Sequence, residues 1–178
     1  MHFSVFLTKF VVCIKLYNMK KLIFTLLLTI CAVTAMAQMP EVTLADIDGN
    51  KVRTDTLAAP GRPVIISFFA TWCKPCMREL SAIAEVYDEW QEETGVELVA
   101  ISIDEAQTSQ RVKPLVDANG WPYRVLLDPN GELKRSLGIQ LIPFVMILDE
   151  TGQIVYKHNG YNDGAENELL DKLLELKK

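Results

Sequence analysis

Residues 64–80 read Val64-Ile65-Ile66-Ser67-Phe68-Phe69-Ala70-Thr71-Trp72-Cys73-Lys74-Pro75-Cys76-Met77-Arg78-Glu79-Leu80, and the fold turns on how this stretch changes character. Its first seven residues are a nearly continuous apolar run rich in Ile and Phe, the pattern of a strand buried on both faces. From Lys74 onward, Cys76, Leu80, Ile83, Tyr87 and Trp90 recur at helical spacing. That stripe predicts an amphipathic helix over residues 74–93, with Glu and Arg on its opposite face and Gly95 as its stop. Both cysteines therefore fall where a buried strand turns into a helix.

Further along, residues 96–103 repeat the buried-strand pattern, and residues 110–119 fit a shorter helix closed by Gly120. Residues 123–127 suit another strand, followed by an Asp128-Pro129-Asn130-Gly131 turn and a short helix around Leu133 and Leu137 that ends at Gly138. Strands over 145–148 and 154–158 are joined through Asp149-Glu150-Thr151-Gly152, a hairpin signal. Asp163 and Glu166 have the spacing of a capping box for a last helix with Ala165, Leu169, Leu170, Leu173 and Leu174 inside. Before the deciding stretch, residues 41–63 read as an extended lead-in with a turn at Asp48-Gly49-Asn50 and a break at Pro60-Gly61-Arg62-Pro63. Strands and helices alternate first, and a hairpin and helix close the chain. This predicts an α/β fold with a central mixed sheet, helices on both faces and an N-terminal β extension.

At 178 residues with 49% hydrophobic and 23% charged content, the chain fits one globular domain plus a short appendage. The appendage is at the amino end. From Met19, Lys20-Lys21 precedes an apolar run over residues 22–33, and Ala35-Met36-Ala37 follows before Gln38. A basic start, a short apolar middle and a small-x-small end are the parts of a secretory signal peptide, so cleavage is expected after Ala37 with Met19 as the true start. An uncleaved anchor and, behind it, a lipoprotein held through Cys31 are the alternatives, both with the domain on the same side of the membrane. Residues 1–37 carry four lysines and no acid, so their loss takes the formal charge from −5 to −9. An acidic remainder argues against nucleic acid as a partner.

Cleavage also removes Cys13 and Cys31, leaving Cys73 and Cys76. At a helix start, unpaired backbone N–H groups and the positive dipole end favour an anion, so a thiolate at Cys73 is stabilised. Bringing a thiol from about 8.5 to about 7 takes about 2 kcal/mol, within reach of the helix end assisted by Lys74. Cys76, one turn deeper on the Leu80 side, suits a resolving thiol that attacks a mixed disulfide from within. Pro75 lies in the first turn, where its missing N–H costs little. A structural staple would close only two intervening residues, zinc would need more ligands, and haem attachment would need His where Met77 stands. The pair therefore points to redox chemistry with no cofactor and no metal.

The segment from Ser67 to Cys76, followed by Glu79-Leu80, resembles the active-site segment of thioredoxin-fold proteins. The run from Leu127-Asp128-Pro129-Asn130-Gly131 through Ile142-Pro143 to Leu148-Asp149-Glu150-Thr151-Gly152 resembles the exported TlpA/ResA-like branch of that fold. The match covers about residues 40–178, which makes residues 38–178 a thioredoxin-like domain. The resemblance implies a cis-proline at Pro143, with the backbone of Ile142 pairing an extended substrate segment. It implies a proton-exchanging acid for Cys76 at Glu79, whose plain alternative is a solvated first-turn Glu, and a substrate-facing role for Trp72, whose alternative is packing. Ser67 departs from cytoplasmic thioredoxins, which carry a buried Asp there, so proton handling is expected to fall to Glu79. Phe144 departs from the frequent Thr after the cis-proline.

Reducing and oxidising members of the fold differ by roughly 150 mV, about 7 kcal/mol for two electrons, so Lys74 and Pro75 alone do not set the direction. The resemblance implies a reductase in the periplasm or another extracytoplasmic compartment, and a monomer is expected. It would be kept reduced by a membrane thiol donor and act on disulfides in exported proteins, with apocytochrome c as one client. A thiol peroxidase is the rival within the chemistry, although Ala70 stands where peroxidases of this fold carry Thr or Ser. A copper metallochaperone using both thiolates is the rival of another class.

Overall fold

The apolar run that decides the fold becomes a strand, Val64–Phe69, every residue of which is buried. A computed structural model describes residues 38–58 and 61–177, together with Lys21. In chain order the strands are β1 (Thr43–Asp46), β2 (Lys51–Arg53), β3 (Val64–Phe69), β4 (Glu97–Ser102), β5 (Arg124–Leu127), β6 (Phe144–Leu148) and β7 (Ile154–Asn159). The helices are α1 (Lys74–Thr94), α2 (Val112–Asn119), α3 (Glu132–Ser136) and α4 (Ala165–Leu176).

These strands form one sheet in the order β2-β1-β5-β4-β3-β6-β7. The three central strands are parallel, because α1 and then the α2 segment cross back over the sheet between them. On one side β6 pairs antiparallel with β3 and β7 with β6, as the hairpin signal predicts. On the other side the lead-in folds into the β1–β2 hairpin, and β1 adds antiparallel to β5.

Alternation along β3 sends side chains to two cores. Ile65 and Phe69 join α1, α2 and α4 through Leu80, Ile83, Val112, Val116, Leu169 and Leu173. Val64, Ile66 and Phe68 face a second core with Leu133 of α3, Leu126, Met146 and Met39. Central strands covered on both faces are apolar almost throughout, with buried Ser67 the one polar side chain in β3, which is why β3 and β6 carry no solvent-facing alternation.

Residues 37–178 form one compact unit. Apart from Lys21, the expected signal segment, with Cys13, Cys31 and the Ala37 side of the cleavage site, lies outside the described residues. Among the described residues, no helix is long and apolar enough to cross a membrane.

One local expectation is overturned. The capping box at Asp163 and Glu166 does not form: the N-cap of α4 is Gly164 at φ +91° with no side-chain cap. Asp163 instead lies 3.3 Å from the guanidinium of Arg78, and Glu166 accepts from the Tyr161 hydroxyl at 3.0 Å. A left-handed residue at the N-cap turns the approaching chain away from the geometry in which an Asp side chain meets the first-turn N–H groups.

Candidate active site

At the carboxyl end of β3 the chain makes a tight turn, closed by the Cys73 N–H donating to the Ala70 carbonyl at 3.0 Å. Cys73 is then the N-cap of α1, in extended conformation, and Pro75 occupies the first turn. The Cys73 sulfur accepts a hydrogen bond from the Cys76 N–H at 3.3 Å, so it fills the position a Ser or Asp would take at a helix start. Cys73 and Cys76 are joined by a disulfide with their Cα atoms 5.3 Å apart. Cys73 retains 5% of its surface and Cys76 none. An attacking reagent therefore meets the first sulfur and not the second.

Beneath the pair lies Glu79, on the face of α1 that packs on the sheet. It is buried, in contrast to the charged face the helical pattern assigns it, and the solvated alternative is excluded. Its Oε2 accepts from the Ser67 hydroxyl at 3.2 Å. Burial pushes its carboxyl up to about 7; the Ser67 hydrogen bond opposes this and the charge of Glu166 adds to it. Nearby, the buried Tyr123 hydroxyl donates to the Leu80 carbonyl at 2.7 Å.

The other candidates lie on the active-site turn and first turn of α1 and on the loop entering β6. Trp72 is 65% exposed and Lys74 is exposed on the first turn. The Ile142–Pro143 peptide bond is cis. Pairing of Phe68 with Phe144 brings Pro143 level with the end of β3, where the active-site turn begins. Ile142 packs on the core cluster that contains both cysteines, and the Pro143 carbonyl accepts from the Gly160 N–H at 2.8 Å. Leu141, just before them, is 71% exposed. A cleft of about 750 Å3 opens from the adjoining residues, with Ile103, Glu105, Lys134, Arg135, Ile139 and Gln140 among its lining.

Two residues were not singled out by the sequence. Leu141 is visible only as an apolar letter before Ile142-Pro143. Asp104 is buried at the end of β4 and holds Thr71 through its carboxylate. Its only sequence signal is an acid directly after a buried strand. His158 stacks on Tyr156 along β7. Among the described residues, no group of three or more His, Cys, Asp or Glu side chains is arranged to hold a metal ion.

A strand-to-helix cysteine pair, one sulfur capping the helix and the other sealed behind it, on a mixed sheet of this topology, defines a thioredoxin-fold thiol–disulfide oxidoreductase. The chain belongs to the AhpC/TSA family, whose model matches residues 35–157. It is 29% identical over 123 residues to the thiol-disulfide oxidoreductase ResA of Bacillus thuringiensis subsp. konkukian, covering 69% of this chain and 68% of that protein. Among solved structures, an uncharacterized thioredoxin-like protein from Porphyromonas gingivalis is 58% identical with a TM-score of 0.71, covering 79% of this chain and 92% of the other. StoA from Bacillus subtilis is 26% identical with a TM-score of 0.59, covering 79% of this chain and 98% of its own.

Proposed function

We propose that this protein reduces disulfides in exported proteins, with residues 1–37 serving as the export signal. The observation that carries the reading is the asymmetry of the pair: Cys73 caps α1 with part of its surface open, and Cys76 is sealed. In the dithiol state the Cys73 thiolate attacks one sulfur of a client disulfide. The client S–S bond breaks, its leaving thiolate takes up a proton, and a Cys73–client mixed disulfide forms. Cys76 then passes its proton to Glu79 and attacks the Cys73 sulfur. The second client thiolate departs and the Cys73–Cys76 disulfide remains. Two electrons have moved to the client, and a membrane thiol donor returns them.

Glu79 is suited to its step because a carboxyl held near neutrality can both accept and release a proton at ambient pH. Trp72, Lys74 and Pro75 on one side and Ile142 and Pro143 on the other form the client-binding rim, and Leu141 extends its apolar part. Cytochrome c maturation, with apocytochrome c as the client, is one setting for this chemistry. The site acts in a monomer, in the periplasm or another extracytoplasmic compartment.

The test is covalent trapping. Cys76→Ser is expected to accumulate mixed disulfides through Cys73, resolved on non-reducing gels and by mass spectrometry, and Cys73→Ser to accumulate none. Equal trapping by both variants contradicts the roles. A reduction potential near that of the oxidising members, measured in thiol buffers, overturns the direction.

A further inference from the structure

Asp104 is buried and takes no part in the exchange steps above. It stands just past β4, where β3 and β4 run side by side: Phe69 pairs with Ser102, and the Ile103 N–H donates to the Phe69 carbonyl at 2.9 Å. From there its carboxylate reaches across to the active-site turn. Oδ2 accepts from the Thr71 N–H at 2.7 Å and from the Ser102 hydroxyl at 2.9 Å, and Oδ1 accepts from the Thr71 hydroxyl at 2.6 Å. The Asp104 N–H donates to the Ser102 oxygen at 3.1 Å, which fixes that hydroxyl in turn. A carboxyl group buried this deeply is tolerated because three donors serve it, and two of them belong to Thr71.

Thr71 and Trp72 are the two central residues of the turn closed by the Cys73 N–H and the Ala70 carbonyl. The orientation of that turn decides where the Cys73 sulfur meets the start of α1 and where the exposed Trp72 ring projects. We propose that Asp104 is a positioning residue for thiol–disulfide exchange: its two-pronged hold on Thr71 fixes the turn that presents the Cys73 sulfur and Trp72 to the client. The inference rests on the reading of Cys73 as the attacking thiol. It adds to that reading a device on the neighbouring strand, joined to the site through side chains 33 positions apart.

The experiment compares Thr71→Val, Thr71→Ser and Asp104→Asn in the reduced protein. Readouts are the alkylation rate of Cys73 by iodoacetamide at neutral pH, kcat and KM for a disulfide-bonded protein client, and thermal melting. Thr71→Val keeps the shape and the backbone bond but removes the hydroxyl donor. It is expected to slow alkylation and lower kcat by about tenfold, the factor that accompanies loss of one charge-assisted hydrogen bond. Thr71→Ser is expected to restore both to within about twofold, and Asp104→Asn to slow both at least as much as Thr71→Val. If the variants melt earlier but alkylate and turn over like the parent, Asp104 is only a structural support and the proposal falls. If Asp104→Asn speeds alkylation while Thr71→Val changes nothing, the carboxylate acts through its charge alone, and the proposal falls as well. A Cys73 that is unreactive in the unaltered protein strikes the site assignment itself.

Discussion

The hydroxyl of Ser67 on β3 donates to the carboxylate of Glu79 on α1 at 3.2 Å, with both residues buried beneath the cysteine pair. The place where cytoplasmic thioredoxins keep their buried acid is thus directly bonded to the acid this chain carries one helical turn past Cys76.

A pH dependence of stability follows. Burial holds the Glu79 carboxyl at about 7 in the folded protein, above its unfolded value. Between about 4.3 and about 7 the native state keeps a proton that the unfolded chain has released, so stability falls as pH rises through this window and stays lower above it. The full difference is about 4 kcal/mol at 1.36 kcal/mol per pH unit. Glu79→Gln should abolish this slope and be more stable than the parent at pH 8 but not at pH 4, as read by urea unfolding at both. An unchanged slope in Glu79→Gln would falsify the assignment. Ser67→Ala removes the donor that favours the ionised form, so the Glu79 midpoint followed by carboxyl NMR should rise by up to about one unit.

Tyr87 completes a strand edge. Pairing of β4 with β5 begins at Val99, and one residue earlier the Leu98 N–H donates to the Tyr87 hydroxyl at 2.9 Å. Tyr87→Phe keeps the ring against Tyr123 but leaves a buried donor unpaired. A loss of about 1–3 kcal/mol is expected in chemical unfolding. Stability equal to the parent would show that the N–H finds another acceptor.

The exposed apolar rim should govern client affinity and not stability. Trp72→Ala and Leu141→Ser are each expected to raise KM for a polypeptide disulfide several-fold, with unfolding free energy changed by no more than about 0.5 kcal/mol. Unaltered KM in both variants would place client contact elsewhere on the surface.

The sequence reveals features that depend on neighbours in the chain. The buried run at 64–69, the stripe from Cys76 to Trp90 and the cysteines between them are local patterns, and each becomes the element its period predicts. Contacts across the fold are not legible in this way. The helical pattern alone puts Glu79 on the charged face, because nothing local announces Ser67 opposite it; only the resemblance singles it out as a working acid. Asp104 reads as a loop acid because Thr71 lies 33 positions away. Asp163 and Glu166 have the right letters for a cap, but Gly164 in the left-handed region takes the N-cap position and turns the chain elsewhere. The lead-in shows its turn at residues 48–50, yet its docking on β5 follows from an open edge that only the assembled sheet creates.

That docking has a consequence for life in a crowded compartment. Without the β1–β2 hairpin, the sheet would stop at β5, whose Val125 and Leu126 would offer other chains an apolar border on which to stack. With it, that margin is a strand of only three residues whose Lys51 and Arg53 face water, the Arg53 guanidinium paired with Glu41 and Asp55, so this border offers a neighbour little backbone to pair with.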